Sequence, residues 1–181
     1  MSQHEEAVLL SRYVNAKDRT DWASRAFVSV YNRGFHVADN VPDFCRSQRM
    51  MAQFVRLVEE VMEWAGAIER KEGLSEAADI CIVAANMGAI IDCNVADAMN
   101  YATGKNVSQA LDGVARALRS SGDPMIAEHA LGNALRDLVA AVAQWARLYA
   151  QASPAELVTT VEAKLRNDEQ RGVLHQGVEL Q

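Results

Sequence analysis

The hydrophobic residues recur every three or four positions along most of the chain, a spacing typical of amphipathic α-helices. No stretch alternates between apolar and polar residues for long enough to indicate a β-strand. The pattern predicts helices over about 5–15, 20–31, 47–71, 76–91, 95–102, 107–119, 124–150 and 154–171. We therefore expect an all-α protein whose helices pack as a bundle.

Glycine, serine and proline mark the expected breaks between these helices. Gly73 is predicted to end the long third helix, and Ser75 to cap the start of the next one. Ser153 is a suitable N-cap residue, and Pro154 follows it at the first helical position. A chain of 181 residues can bury one sizeable core, so we expect residues 1–181 to form a single domain.

The predicted helix over 76–91 is apolar almost all the way round. From 77 to 91 its only polar side chains are Asp79 and Asn86, which lie seven residues apart on one face, in line with Glu76. A helix that is apolar on all sides is buried, and a buried charge must be paired or bound to a metal. This face is therefore a candidate ligand-lining surface, while Asn86 could instead be a satisfied core amide.

Two groups of acidic residues lie on consecutive predicted helices. Glu59, Glu60 and Glu63 are neighbours on the first helix, and Glu76 and Asp79 share a face of the second. A short connection favours antiparallel packing, but the register that would bring the groups together remains open. Taken singly, the glutamates could form a solvated face, and the second pair could simply favour the positive end of the helix dipole.

If the two acidic groups meet, their combined negative charge favours a bound cation. Two carboxylates about 4 Å apart repel by about 4 kcal/mol at an effective dielectric constant near 20. Oxygen ligands without nearby Cys or His favour Mg²⁺ or Mn²⁺ over zinc.

The overall composition excludes several classes of protein. An apolar fraction of 50% excludes a disordered chain, and a net charge of 18 − 24 = −6 argues against binding to nucleic-acid polymers. The longest apolar run, 80–91, is shorter than the roughly 20 residues that a membrane span needs. The three cysteines show no CxxC spacing and no secretory signal is evident, so we expect free thiols and a cytoplasmic location.

The two acidic motifs together resemble the signature of a known enzyme family. Glu59-Glu60-x-x-Glu63, then twelve residues, then Glu76-x-x-Asp79 is similar to the motif of the all-α nucleoside triphosphate pyrophosphatases, the MazG-like and dimeric dUTPase-like enzymes. The resemblance covers about 47–100 and 154–175. It implies a four-helix-bundle-type MazG-like fold, usually assembled as a homodimer or higher homo-oligomer.

The resemblance also implies a reaction and a set of site residues. The reaction is the Mg²⁺-dependent cleavage of a (deoxy)nucleoside triphosphate, with dUTP or a purine dNTP such as dGTP as candidate substrate, to the monophosphate and pyrophosphate; Mn²⁺ can substitute. The implied metal ligands are Glu59, Glu60, Glu63, Glu76 and Asp79, with Glu59 or Glu60 as the catalytic base. The implied substrate-binding residues are Asn86, Lys164, Asn167 and Arg171.

The length of the chain departs from the simple family pattern. Residues 103–158 form either an inserted helical hairpin or a degenerate second repeat, in which 137–149 matches the helix that carries Asp79. This segment makes Lys105 a rival of Lys164 for the phosphate. The alternatives to this enzyme are a non-enzymatic helical assembly or binding protein, and a related phosphohydrolase acting on another phosphorylated nucleotide.

Overall fold

The computed structural model describes residues 11–32, 46–120 and 124–178, and these residues form helices without any β-strand. The expected all-α fold is therefore confirmed. Residues 11–17 are helical, and the part of this predicted helix before residue 11 lies outside the described residues. The later elements are α1 (Trp22–Asn32), α2 (Arg46–Gly66), α3 (Arg70–Ile90), a 3₁₀ turn (Ala96–Asn100), α4 (Val107–Arg119), α5 (Pro124–Leu148) and α6 (Pro154–Val178).

Helix α3 lies at the centre of the bundle. It packs against α1, α2, α5 and α6, and its residues from Ala77 to Gly88 are all buried except Asp79, which is partly exposed. By length and composition α3 could cross a membrane, and it is the one such helix in the described part of the chain. Because 72% of its apolar window is buried inside the bundle, the other helices already cover it.

The break between α2 and α3 does not fall where the sequence predicted it. Helix α2 ends at Gly66 and α3 begins at Arg70, so Gly73 and Ser75 lie inside α3 and the predicted C-terminus and N-cap are wrong. The helix thus starts six residues before the predicted Glu76, and the carboxylate of Glu72 stabilises this start by accepting a hydrogen bond from the backbone N–H of Ile68.

Gly73 does not form a turn. It lies where α3 packs closely against α5. A Cβ atom at this position would lie 2.9 Å from the ring of Trp145 on α5, which is closer than real side chains approach. The Trp145 ring in turn makes an edge contact with Trp64, with 5.2 Å between the ring centroids. The absence of a side chain at Gly73 therefore lets α5 approach α3.

The C-terminal end of α3 is held by close backbone contacts. The carbonyl of Gly88 accepts a hydrogen bond from Cys93 N–H at 2.8 Å, and the guanidinium of Arg12 donates to the carbonyl of Ile90.

Cys93 and Cys81 are free thiols, as expected, and Cys45 lies outside the described residues. The chain then reverses into the second hairpin, α4 and α5.

The second hairpin follows the sequence-predicted bounds closely. Helix α4 begins after Asn106, whose side chain accepts a hydrogen bond from Gln109 N–H while Gln109 bonds back to the N-cap backbone. Helix α6 begins at Pro154, and Ser153 exchanges hydrogen bonds with Glu156 across the first turn. Helix α6 returns along α3 and α1, which brings its Lys164 side chain to Asp79 on α3.

We predict that Gly88→Ala destabilises the fold strongly. A Cβ atom at Gly88 would lie 2.5 Å from the carbonyl oxygen of Cys93, so the backbone turn would have to move. The free energy of unfolding, measured in urea, should fall by about 2 kcal/mol or more, since overpacking typically costs about 1–3 kcal/mol. Gly113→Ala is the matched control, because its nearest neighbour would lie at 3.9 Å. Equal effects of the two substitutions would contradict this explanation.

Candidate metal centre

The two acidic groups meet near the short connection between α2 and α3. Glu60 and Glu63 lie one turn apart near the end of α2, and Glu76 lies in the second turn of α3. One carboxylate oxygen from each of these residues lies within 4.8 Å of the others. The register that the sequence left open is therefore one that joins the acidic motifs, and we call these residues the acidic cluster.

Asp79 lies beside the acidic cluster, one turn after Glu76 on the same face of α3. Its carboxylate accepts a hydrogen bond from the ammonium group of Lys164 on α6, and both side chains are 24% exposed. On the other side of the cluster, the guanidinium of Arg56 donates to Glu60 at 3.3 Å. The carboxylates are thus flanked by a cation from each of two different helices.

The electrostatics of the cluster disfavour its full negative charge. Burial, and then the charge of Asp79, raise the pKa of Glu60 despite the lowering effect of Arg56. Burial also raises the pKa of Glu76, against a lowering contribution from Lys164. Three oxygen ligands in a half-buried, negatively charged setting fit a hard divalent cation such as Mg²⁺ or Mn²⁺.

Asp79 and its neighbour Cys81 show the same effect of burial. Burial raises the pKa of Asp79, the bond to Lys164 lowers it, and the charge of Asp168 raises it further. Burial and the nearby Asp79 charge raise the pKa of the Cys81 thiol well above its ordinary value. Cys81 is therefore a neutral core thiol and adds no soft ligand, so the donor set remains one of carboxylate oxygens.

Glu59 does not join the acidic cluster. Its side chain is exposed, and its carboxylate is not among the clustered oxygens in the described part of the chain. Successive residues on an α-helix point about 100° apart, so turning Glu60 towards α3 turns Glu59 away from it. The structure thus supports Glu60 in the predicted site and gives Glu59 no contact with it.

Of the three predicted substrate-binding residues on α6, only one lies next to the cluster. Lys164 reaches it, whereas Asn167 and Arg171 are exposed one and two turns further along the helix. Among the described residues, no ion pair or hydrogen bond joins either side chain to the acidic cluster. Lys105, the rival of Lys164, bonds Asp137 on α5 instead.

Asn86 is buried on the face of α3 that carries Glu76 and Asp79. The residue is 3% exposed, and its Oδ1 atom accepts no hydrogen bond within the described chain. It is therefore not the satisfied core amide that the sequence allowed. The sequence analysis also missed Gln53, whose Oε1 atom is buried and equally without a hydrogen bond there. Its spacing of seven residues from Glu60 was the available signal.

Comparison with known proteins gives this site no precedent. No protein-family model matches the chain, and neither a curated protein nor a solved structure is significantly similar to it. The resemblance of the acidic motifs to the pyrophosphatase signature stays a prediction, so the function has to be argued from the arrangement of the side chains.

We predict that Glu60→Gln stabilises the protein at neutral pH when no divalent metal is added. The pKa of Glu60 is raised on folding, so its ionisation opposes folding above that raised pKa, and the penalty vanishes below the unfolded value of 4.5. The melting temperature should rise at pH 7, by about 2–4 °C per kcal/mol for a chain of this size, and stay unchanged at pH 3.5.

Glu59→Gln is the matched control, since it removes the same charge from the neighbouring exposed residue. Added Mn²⁺ should raise the melting temperature of the unmodified protein and of Glu59→Gln, and raise that of Glu60→Gln much less. If Mn²⁺ stabilises all three proteins equally, Glu60 is not part of a metal site.

Proposed function

We propose that this protein is a Mg²⁺-dependent nucleoside triphosphate pyrophosphohydrolase, which releases a nucleoside monophosphate and pyrophosphate. The observation that carries the proposal is the joining of Glu60, Glu63 and Glu76 within 4.8 Å, with the Asp79–Lys164 pair at the edge. Acidic ligands beside the ammonium group of Lys164 suit a polyphosphate better than an uncharged substrate, because the phosphates bring negative charge that both a metal and a lysine stabilise.

Glu60, Glu63, Glu76 and Asp79 would hold Mg²⁺, or Mn²⁺ in its place. When bound, the ion neutralises phosphate charge and lowers the pKa of a coordinated water. Glu60 is the residue best suited to accept the proton of the attacking water, because burial raises its pKa and its side chain is only 12% exposed. The exposed Glu59 is the weaker of the two predicted bases.

Lys164 would contact the phosphates directly. Its ammonium group has three N–H donors, and the bond to Asp79 leaves donors for phosphate oxygens. Arg171 lies two turns further on α6, on the face that carries Lys164, and its guanidinium could bind an outer phosphate in a bidentate manner. Asn167, one turn after Lys164, is placed to contact the sugar or base of the same nucleotide.

An exposed apolar stripe on α2 supports the expected homo-oligomer. Met51, Val55 and Met62 are 51%, 52% and 69% exposed, and with Val58 they recur at alternating spacings of four and three residues. This spacing is that of a helix packing against another helix, and a second copy of the chain would cover it. The stripe also favours the alternative, a non-enzymatic assembly protein, so activity has to be measured directly.

We expect pyrophosphate release from at least one member of a panel of dNTPs and NTPs with Mg²⁺ or Mn²⁺. Glu60→Gln should lower kcat by about 10²–10⁴-fold, because it removes a proton acceptor and a ligand together. Glu59→Gln, which lies outside the cluster, should retain activity within about threefold. An absence of turnover for every nucleotide, or full activity of Glu60→Gln, would refute the proposal.

The two lysines provide a second test, because each forms an ion pair with an aspartate. Lys164→Ala should reduce kcat/KM by about 10–100-fold, since it removes a charge-assisted hydrogen bond to phosphate. Lys105→Ala breaks the comparable pair with Asp137, away from the acidic cluster, and should change kcat/KM little. The opposite ranking in steady-state kinetics would assign the phosphate contact to Lys105.

A further inference from the structure

The polar face that carries the acidic cluster continues along the α2–α3 hairpin. Gln53 precedes Glu60 by seven residues on α2, and Asn86 follows Asp79 by seven residues on α3. Seven residues are about two helical turns, or about 10.5 Å along the axis. Because the two helices are antiparallel and the acidic cluster joins Glu60 to Glu76, one turn before Asp79, we expect Gln53 and Asn86 to lie near each other, further from the α2–α3 connection than the cluster.

Each of these two residues presents a buried carbonyl oxygen that lacks a donor. Asn86 is more than nine-tenths buried, and neither its Oδ1 nor the Oε1 of Gln53 accepts a hydrogen bond from the described chain. Buried polar groups in folded proteins nearly always have a hydrogen-bond partner, so a matched pair without one indicates that a ligand supplies the donors. Such a ligand must supply N–H or O–H donors, because both unpaired oxygens can only accept hydrogen bonds.

We propose that Gln53 and Asn86 recognise the exocyclic amino group of a nucleotide base, which makes cytosine, adenine or guanine nucleotides the substrate class. The inference rests on the proposed function, because it places the triphosphate at the acidic cluster. An amino group carries two N–H donors, one for each carbonyl oxygen. The axial distance of about two turns is comparable to the reach of a nucleoside from its 5′-phosphate to the edge of its base.

Bases without an amino group are disfavoured by the same geometry. Uracil presents a carbonyl oxygen where cytosine has its amino group, and hypoxanthine lacks the amino group of guanine. If such a base bound, the oxygens of Gln53 and Asn86 would stay buried without a hydrogen bond. A site built to accept hydrogen bonds from a substrate strongly rejects an analogue that lacks the donor group. Of the substrates that the family resemblance suggests, dGTP therefore fits this pair and dUTP does not.

Matched pairs of substrates test the inference directly. We expect kcat/KM with Mg²⁺ to be at least tenfold higher for dCTP than for dUTP, and for dGTP than for dITP, whenever one member of the pair is turned over. Equal values within each pair, or a preference for dUTP and dITP, would overturn the assignment. The reversed preference would mean that the two amides present their N–H groups to the base.

Side-chain variants assign the preference to these two residues. Asn86→Leu and Gln53→Met keep the approximate size of each side chain and remove its hydrogen-bonding atoms, so the amino preference should fall to about threefold or less. Gln48→Met is the matched control on the exposed side of α2 and should keep the preference. Because Oδ1 of Asn86 has no partner in the described chain, Asn86→Leu should not lower the melting temperature. A drop of many degrees would show a structural role and overturn the inference.

Binding of non-hydrolysable α,β-imido nucleotides separates this inference from the proposed function. Tighter calorimetric binding of the amino member of each pair, without hydrolysis of any nucleotide, would support the recognition site and refute the enzyme. Hydrolysis without an amino preference would support the enzyme and refute the recognition site. If no nucleotide binds with Mg²⁺ present, both proposals fail.

Discussion

The burial of α3 is the constraint on which the rest of the molecule depends. A helix that is apolar on every side must be covered on every side, and α1, α2, α5 and α6 do so in the part of the chain that the structure describes. The same burial places Asp79 in a setting where its charge needs compensation, which the ammonium group of Lys164 supplies. The burial of α3 thus forms the hydrophobic core and also brings α6 next to the acidic motifs.

The acidic cluster is an electrostatically unfavourable arrangement held by favourable packing. Leu57 and Val61 of α2 and Ile80 and Val83 of α3 are buried around it, and their apolar contacts fix the hairpin that forces the carboxylates together. Arg56 and Lys164 offset only part of the repulsion, since burial still raises the pKa of the buried carboxyls. Groups whose pKa values are shifted by burial and by neighbouring charges are typical of sites that bind a ligand.

The second hairpin repeats part of this design without its carboxylates. Asp137 on α5 bonds Lys105, as Asp79 on α3 bonds Lys164, so the aspartate of each hairpin is paired with a lysine from outside its own two helices. Where α2 and α3 carry acids, α4 and α5 have Gly113 facing Ala134. The degenerate repeat and the inserted hairpin therefore both stay as predictions for 103–158, and the described residues of the second hairpin have the ion pair without an acidic cluster.

The sequence by itself determined the all-α class, the bounds of α4 and the start of α6, because caps and helical periodicity are local signals. It also showed that Asp79 and Asn86 share one face of a buried helix. Only the tertiary structure decided that Gly73 lies within α3, since its role is contact with Trp145 from a distant part of the chain. The choice of Glu60 over Glu59 likewise depended on the α2–α3 register. Register is set by how two surfaces interlock, and neither helix encodes that alone.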